Sequence, residues 1–143
     1  MPVVAFSVAS DMPHQIIEYS ANLAERIDIE GLIVTLHEAA ASIDVLPIGG
    51  LRTRAVARDI YRIADGHEDN AFINGTLRIA PGRSFEDRQA AGQLLFDTLC
   101  RYVAAAFDSS PLAISYEIQE IDADLRWKQN NLRNYLAERA KDS

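Results

Sequence analysis

Hydrophobic and polar positions follow two patterns along this chain, first the alternation of a strand and then the longer period of a helix. Residues 14–20 are short, rich in Ile and Tyr and bounded by polar residues, which predicts a strand. Residues 28–41 start at an aspartate suited to cap a helix and carry Leu and Ala along one stripe, which predicts a helix. A proline and two glycines then interrupt the chain before a segment at residues 52–63 that we expect to be extended.

The same order occurs again in the second half of the chain. Residues 72–80 alternate and predict a strand, and residues 84–107 predict a helix that begins at a serine cap followed by acidic residues. Residues 112–119 alternate strictly between apolar and polar side chains, which is typical of a strand with one buried face. A final helix is predicted over residues 128–139.

This repeated strand-helix-strand order predicts an α/β (α+β) fold of two layers. Right-handed crossovers place both long helices on one side of a four-stranded sheet, which leaves the other face uncovered. We expect that face to be more apolar than its own helices can cover, so that symmetric partners bury it. The length of 143 residues suits a single domain over residues 1–143, with residues 1–11 as a leader or extension and residues 12–143 as the core.

Composition narrows the class of protein. The chain is 48% hydrophobic and 24% charged, and its apolar runs fall short of the roughly 18 residues of a membrane span. Residues 1–11 lack the basic start of a secretory signal. The lone Cys100 fits a reducing compartment and is expected to be a small core residue. We therefore expect a cytoplasmic protein with no membrane partner.

The charges of the chain argue against nucleic acid as a partner and for a small acidic ligand. A net charge of -7 disfavours binding to nucleic acid, which requires a basic field. Yet 12 of the 14 basic residues are arginines, and four of them, Arg52, Arg54, Arg58 and Arg62, occupy even positions that share one face of an extended segment. Guanidinium groups hold carboxylates through paired hydrogen bonds, so this cluster predicts a small dicarboxylate or tricarboxylate ligand. The alternative is a stripe of ion pairs with acids of a neighbouring chain.

The sequence carries no motif for a metal or cofactor. His14, His37 and His67 are scattered and lack the spacing of metal ligands. Glycine-rich nucleotide loops and nucleophile elbows are likewise missing from the sequence. We therefore expect chemistry that uses neither a metal nor a cofactor.

Several short blocks of sequence, taken together, are specific enough to indicate a protein family. They span roughly residues 12 to 135 and resemble the 5-carboxymethyl-2-hydroxymuconate isomerase family of the tautomerase superfamily. The blocks are Met12-Pro13-His14, Leu51-Arg52-Thr53-Arg54, Ala64-Asp65-Gly66, Gly82-Arg83-Ser84, Arg88-Gln89 and Lys128-Gln129-Asn130-Asn131.

The resemblance implies that an amino-terminal proline is the catalytic base, at the position of Pro13. Such a base takes the enol hydroxyl proton of a dienol and returns a proton to a carbon further along the conjugated chain. An α-amino group has a pKa near ~8, which burial or nearby cations lower toward neutrality. In this sequence, however, Met12 precedes Pro13 and makes its nitrogen an amide. The alternative is that Pro13 merely starts a strand.

The resemblance also assigns substrate-binding residues and an assembly. Arg52 and Arg54 match the family's paired arginines, and Arg83 precedes the Ser84 helix cap where anions are favoured. We expect these arginines to act on substrate charge and not on folding. Trp127 would exclude water around Pro13, or else anchor a subunit interface. The family implies a homotrimer in which three sheets enclose a central core.

Two functions remain open at this point. The first is a cofactor-independent isomerase that ketonises 5-carboxymethyl-2-hydroxymuconate or a related dienol acid in aromatic-compound degradation. The second is a catalytically silent trimeric tautomerase-like protein that binds small organic acids. The choice depends on whether the chain starts at Met1 or at Met12, because only the second start allows Pro13 to become the amino terminus.

Overall fold

The structure is a computed structural model that describes residues 13–141, so our predictions for the leader, residues 1–11, lie outside the described residues. The strands are β1 (His14–Ser20), β2 (Arg52–Arg58), β3 (Ala71–Ile79) and β4 (Leu112–Glu120). The α-helices are α1 (Ile29–Ala41), α2 (Phe85–Tyr102), α3 (Ala104–Ser109) and α4 (Leu132–Lys141). Short 3-10 turns lie at Ala21–Glu25, Ile48–Gly50 and Ala123–Leu125.

The strands form one mixed four-stranded sheet in the order β2-β1-β3-β4. Strands β1 and β2 are parallel, as are β3 and β4, and β1 pairs antiparallel with β3. Each parallel pair is joined through a helix, so the sheet consists of two strand-helix-strand units set side by side. This topology confirms the predicted two-layer α+β fold with its carboxyl-terminal helix.

The long helices cover one face of the sheet and begin where the sequence predicted. The Asp28 side chain accepts a hydrogen bond from the Gly31 N–H at 3.2 Å, and Ser84 accepts one from the Asp87 N–H at 3.0 Å. These caps satisfy backbone donors that a helix start leaves without partners. The core between the layers contains fully buried leucines, each worth about 1.5–3 kcal/mol of hydrophobic stabilisation. They include Leu32 and Leu36 of α1, Leu95 and Leu99 of α2 and Leu77 of β3.

One strand is shorter than predicted. Strand β2 ends at Arg58, which pairs with Ser20, the last residue of β1. Because β1 then turns into the Ala21–Glu25 turn, β2 has no strand to pair with beyond that point. The prediction of an extended segment to residue 63 is therefore wrong, and Arg62 lies in the following loop, against Gly66.

Two helices also differ from the prediction. The helix expected over residues 84–107 is divided at Val103 into α2 and α3. The last helix begins at Leu132 and not at residue 128, and just before its start the Asn130 side chain accepts a hydrogen bond from the Leu132 N–H at 2.8 Å. No helix within residues 13–141 is long and apolar enough to cross a bilayer.

The face of the sheet opposite the helices is called here the uncovered face. Alternation along the strands places charged side chains there beside apolar ones. The charged and titratable residues of this face are His14, Glu18, Arg52, Arg54, Arg58, Arg78 and Glu117, and its apolar residues include Ile16, Val56, Phe72 and Ala113.

Candidate active site

Pro13 lies immediately before β1 and is fully buried within the chain. Its carbonyl accepts a hydrogen bond from the Arg52 N–H at 3.1 Å, so the backbone ties the first described residue to the first residue of β2. The sequence places Met12 before it, and the nitrogen of such an internal proline has its lone pair committed to amide resonance. Pro13 can act as a base only in a chain that begins with it.

His14 brings the two predicted arginines of β2 together. Its Nε2 lies 3.4 Å from Arg52 Nη1, and its Nδ1 lies 3.1 Å from Arg54 Nη1. On its other side, His14 is opposite Arg78 of β3 in the strand register. The structure therefore brings Arg52 and Arg54 to the His14 ring, one residue after Pro13 at the beginning of β1.

The electrostatic field at this end of the sheet is strongly positive. The pKa of His14 is lowered to about 4, first by burial and then by the nearby charges of Arg54, Arg52, Arg78 and Arg126. Each of these effects penalises the imidazolium form, so His14 is neutral at pH 7.

Sequence reasoning did not identify Arg78 and Arg126 as members of this cluster. Arg78 occupies a position in β3 that alternation assigns to the uncovered face, but only the antiparallel register with β1 sets it beside His14. Arg126 follows the Ala123–Leu125 turn, in a segment without regular periodicity. No local pattern could have predicted its approach.

Arg83 serves a different set of partners. Its Nε and Nη2 donate hydrogen bonds to the Val45 carbonyl at 3.0 and 2.7 Å, and its Nη1 donates to the Ala80 carbonyl at 3.1 Å. Two of the five N–H groups of a guanidinium take no part in these three bonds. The side chain thus joins the loop after α1 to the turn after β3, at the same end of the sheet as Pro13.

Trp127 does not shield Pro13 within one chain. Its side chain is 84% exposed, and Leu125 nearby is 68% exposed. Because burial stabilises indole and leucine side chains, this segment is suited to contact another surface.

A buried polar network lies behind the site and was also not predicted. Gln15 is fully buried, and its Nε2 donates to the Leu36 carbonyl at 3.2 Å and to Thr53 Oγ1 at 3.3 Å. The Tyr116 hydroxyl donates to Gln15 Oε1 at 2.8 Å, and His37 Nδ1 lies 2.8 Å from Thr53 Oγ1. Burial raises the pKa of Tyr116, which keeps its hydroxyl protonated as a donor. The network joins β1, β2, β4 and α1 two residues after Pro13.

Other candidate sites among the described residues are less suited to bind or transform an acid. A groove of about 250 Å³ between the end of α1 and α2 is lined in part by Asp44 and Asp87. The negative charges of these two residues disfavour a carboxylate ligand. Cys100 is half-buried, and burial together with Asp97 raises the pKa of its thiol, so it is a poor nucleophile. Among residues 13–141, no group of three or more His, Cys, Asp and Glu side chains could hold a metal ion.

Comparison with known proteins gives consistent matches. Residues 13–136 match the family model of 5-carboxymethyl-2-hydroxymuconate isomerase. The chain is 40% identical over 121 residues to 5-carboxymethyl-2-hydroxymuconate Delta-isomerase of Escherichia coli, covering 85% of this chain and 96% of that protein. The family match thus begins at Pro13, the residue on which the proposed chemistry depends.

Solved structures show the same fold. A 5-carboxymethyl-2-hydroxymuconate isomerase from Deinococcus radiodurans R1 has a TM-score of 0.83 and 36% identity, covering 91% of this chain and 98% of its own. Another 5-carboxymethyl-2-hydroxymuconate delta-isomerase has a TM-score of 0.83 and 25% identity, covering 90% and 95%. A more distant chain, a fused 4-OT solved as a symmetric trimer, has a TM-score of 0.54 and 14% identity, covering 82% and 93%.

Proposed function

The chain belongs to the 5-carboxymethyl-2-hydroxymuconate isomerase family, an enzyme family with the tautomerase fold, and we propose that it ketonises 5-carboxymethyl-2-hydroxymuconate or a related dienol acid. The observation that carries this proposal is the position of Pro13. It is the first residue of the family match, and it lies beside Arg52 and the arginine cluster around His14. The reaction needs no cofactor, since one amine can both remove and return the proton.

In this mechanism the base is the secondary amine of a chain that begins at Pro13. An ordinary α-amino group has a pKa near ~8. Burial of Pro13 and the charges of Arg52, Arg54 and Arg78 would lower that pKa, as they lower the pKa of the adjacent His14. The neutral amine takes the enol hydroxyl proton of the substrate, and the double bonds shift along the substrate's conjugated carbon chain. The ammonium then delivers a proton to a carbon of the dienolate.

The arginines would hold the substrate and its developing negative charge. Arg52 is the first choice, because its backbone is bonded to Pro13 and its guanidinium reaches the His14 ring. Arg54 contacts the same ring. Arg83 would use the N–H groups that do not bind Val45 and Ala80. Fixed cationic donors of this kind stabilise an enolate more than its neutral precursor.

A homotrimer would complete the site. The trimeric fused 4-OT shares the fold, and symmetric closure is the ordinary route to a homo-oligomer. Closure would cover the uncovered face of the sheet and give the 84% exposed Trp127 a partner surface. In that arrangement the indole would exclude water around the Pro13 of a neighbouring subunit.

The alternative function is a catalytically silent protein that binds small organic acids. The observation that favours it is Met12, which makes the Pro13 nitrogen an amide in the sequence as it stands. The arginine cluster does not require a free amine, so it would bind acids in either form.

The experiment that separates the two functions compares two preparations verified by intact mass. One begins at Pro13, and the other retains residues 1–12. We expect the Pro13 chain to consume the dienol, followed by its ultraviolet absorbance, and the longer chain to be slower by orders of magnitude. Equal rates would show that the amine of Pro13 is not the base.

A further inference from the structure

Strand β2, which carries two of the candidate arginines, lies at an edge of the sheet and pairs only with β1 among residues 13–141. Arg52 and Arg54 extend to the uncovered face, whereas Thr53, between them, faces the helix layer. The next helix-facing residues of β2 are Ala55 and Ala57, whose small side chains bury little apolar surface. Within β2, Thr53 is therefore the helix-facing side chain that can form hydrogen bonds.

The hydroxyl of Thr53 has two partners on the helix side of the sheet. Gln15 of β1, which is opposite Thr53 in the register, donates from Nε2 to Thr53 Oγ1 at 3.3 Å. His37 Nδ1 of α1 lies 2.8 Å from the same oxygen. A hydroxyl can accept one hydrogen bond and donate another, so both contacts can form together. Thr53 thus joins the edge strand to its neighbouring strand and to the helix that covers it.

The side-chain amide of Gln15 is itself held in place. Its Nε2 also donates to the Leu36 carbonyl at 3.2 Å, and its Oε1 accepts from the Tyr116 hydroxyl at 2.8 Å. Tyr116 can reach across β3 because Gly75, its partner in the register, has no side chain, and a Cβ at Gly75 would collide with the Tyr116 ring. The fully buried amide therefore presents its N–H to Thr53 in a fixed position.

We propose that Thr53 is a positioning residue for the isomerase site. Held by Gln15 and His37 on the helix side, it fixes the part of β2 from which the guanidinium groups of Arg52 and Arg54 extend to the opposite face. This inference rests on the proposed function for what the two arginines bind, but not for where they are placed. In this role Thr53 acts through the arginines, from the face of the sheet opposite to theirs.

The ring of His14 reports the placement of these arginines without any need for catalysis. Arg52 Nη1 lies 3.4 Å from its Nε2, and Arg54 Nη1 lies 3.1 Å from its Nδ1. The pKa of His14 is lowered to about 4 by burial and then by four nearby charges, those of Arg54, Arg52, Arg78 and Arg126. A guanidinium that moves away from the ring penalises the imidazolium less, so the pKa of His14 rises.

The test exchanges the Thr53 hydroxyl for a methyl group in the variant Thr53→Val. Gln15 keeps its bond to the Leu36 carbonyl, so the variant should fold. In the full chain, we expect NMR titration of the His14 ring to give a pKa above that of the wild type. In a chain that begins at Pro13, kcat/KM should fall by about three- to tenfold, the effect of one neutral hydrogen bond. Thr53→Ser, which restores the hydroxyl, should bring both values back toward the wild type.

Two further variants make the result specific. Thr98→Val loses a hydroxyl from α2, where it donates to the Leu94 carbonyl at 2.7 Å. This control should leave the pKa of His14 unchanged and kcat/KM within about twofold, even if it lowers stability. Arg54→Gln removes one of the charges that act on His14 and sets the size of the rise to expect. Should Thr53→Val not fold, as judged by circular dichroism, Thr53→Ala takes its place.

An unchanged titration of His14 in Thr53→Val would overturn the proposal, whatever the effect on kcat/KM. So would an equal rise in Thr98→Val, or a Thr53→Ser variant that does not restore the wild-type titration, because the change would then follow from lost stability. A Pro13 chain without isomerase activity contradicts only the proposed function, since the titration of His14 still decides whether Thr53 places the arginines.

Discussion

At the scale of single residues, the half-buried Tyr116 shows how the strands around a site can be held by a side chain outside it. Tyr116 donates to Gln15 at 2.8 Å, and Gln15 also binds the Leu36 carbonyl of α1. Alternation in the sequence predicted Tyr116 as a residue of the apolar face, and its half-buried side chain does pack against both core clusters. The partner of its hydroxyl depends on the packing of β4 beside β3 and β1, which no local pattern encodes.

We predict that Tyr116→Phe destabilises the protein by about 1–3 kcal/mol, because it leaves Gln15 Oε1 buried without its donor. Tyr135→Phe is the matched control, since its ring is 48% exposed on α4 and should change stability by less than about 0.5 kcal/mol. Urea unfolding of the two variants checks this. Equal unfolding midpoints for both would show that the network adds no net stability.

At the scale of elements, the sequence predicted the strands and the starts of α1 and α2 well, because each depends on short-range alternation and capping. It failed where an element depends on a distant partner. Strand β2 ends where β1 ends, and residues beyond Arg58 lose their hydrogen-bonding neighbour. The antiparallel register that brings Arg78 to His14 is equally non-local. The prediction that Arg52 and Arg54 share one face required only their alternation within β2.

Arg83 holds two segments of the fold together, although the sequence led us to expect that it acts on substrate charge and not on folding. We predict that Arg83→Ala lowers the melting temperature, because its guanidinium joins the loop after α1 to the turn after β3 through three hydrogen bonds. Arg52→Ala on a chain that begins at Pro13 should instead lower kcat/KM by roughly ten- to a hundredfold and melt close to wild type.

Thermal melts and steady-state kinetics on the same preparations separate these effects. Arg139→Ala is the control, since Arg139 is exposed on α4 and contacts only the ring of Tyr135 among the interactions described for it. An Arg52→Ala variant that melts early with normal kcat/KM would place this arginine in a subunit interface and not in the pocket.

At the scale of the whole molecule, we predict a trimer with a mass three times the 15.8 kDa of the chain. The uncovered face of the sheet and the exposed segment with Leu125 and Trp127 both offer surface for association. The polar character of that face implies that ion pairs and hydrogen bonds contribute alongside apolar contacts. Sedimentation equilibrium at micromolar concentration checks this, and a stable monomer would contradict it.

The central claim is that the amine of Pro13 is the base, and its own titration tests this most directly. In a chain that begins at Pro13 and carries ¹⁵N-proline, the remaining prolines, Pro47, Pro81 and Pro111, are amides and do not titrate. We predict that the Pro13 nitrogen titrates below ~8, and that kcat/KM falls as the pH drops through the same pKa, since only the neutral amine accepts a proton. A Pro13 pKa at or above ~8, with kcat/KM independent of it, would contradict the account.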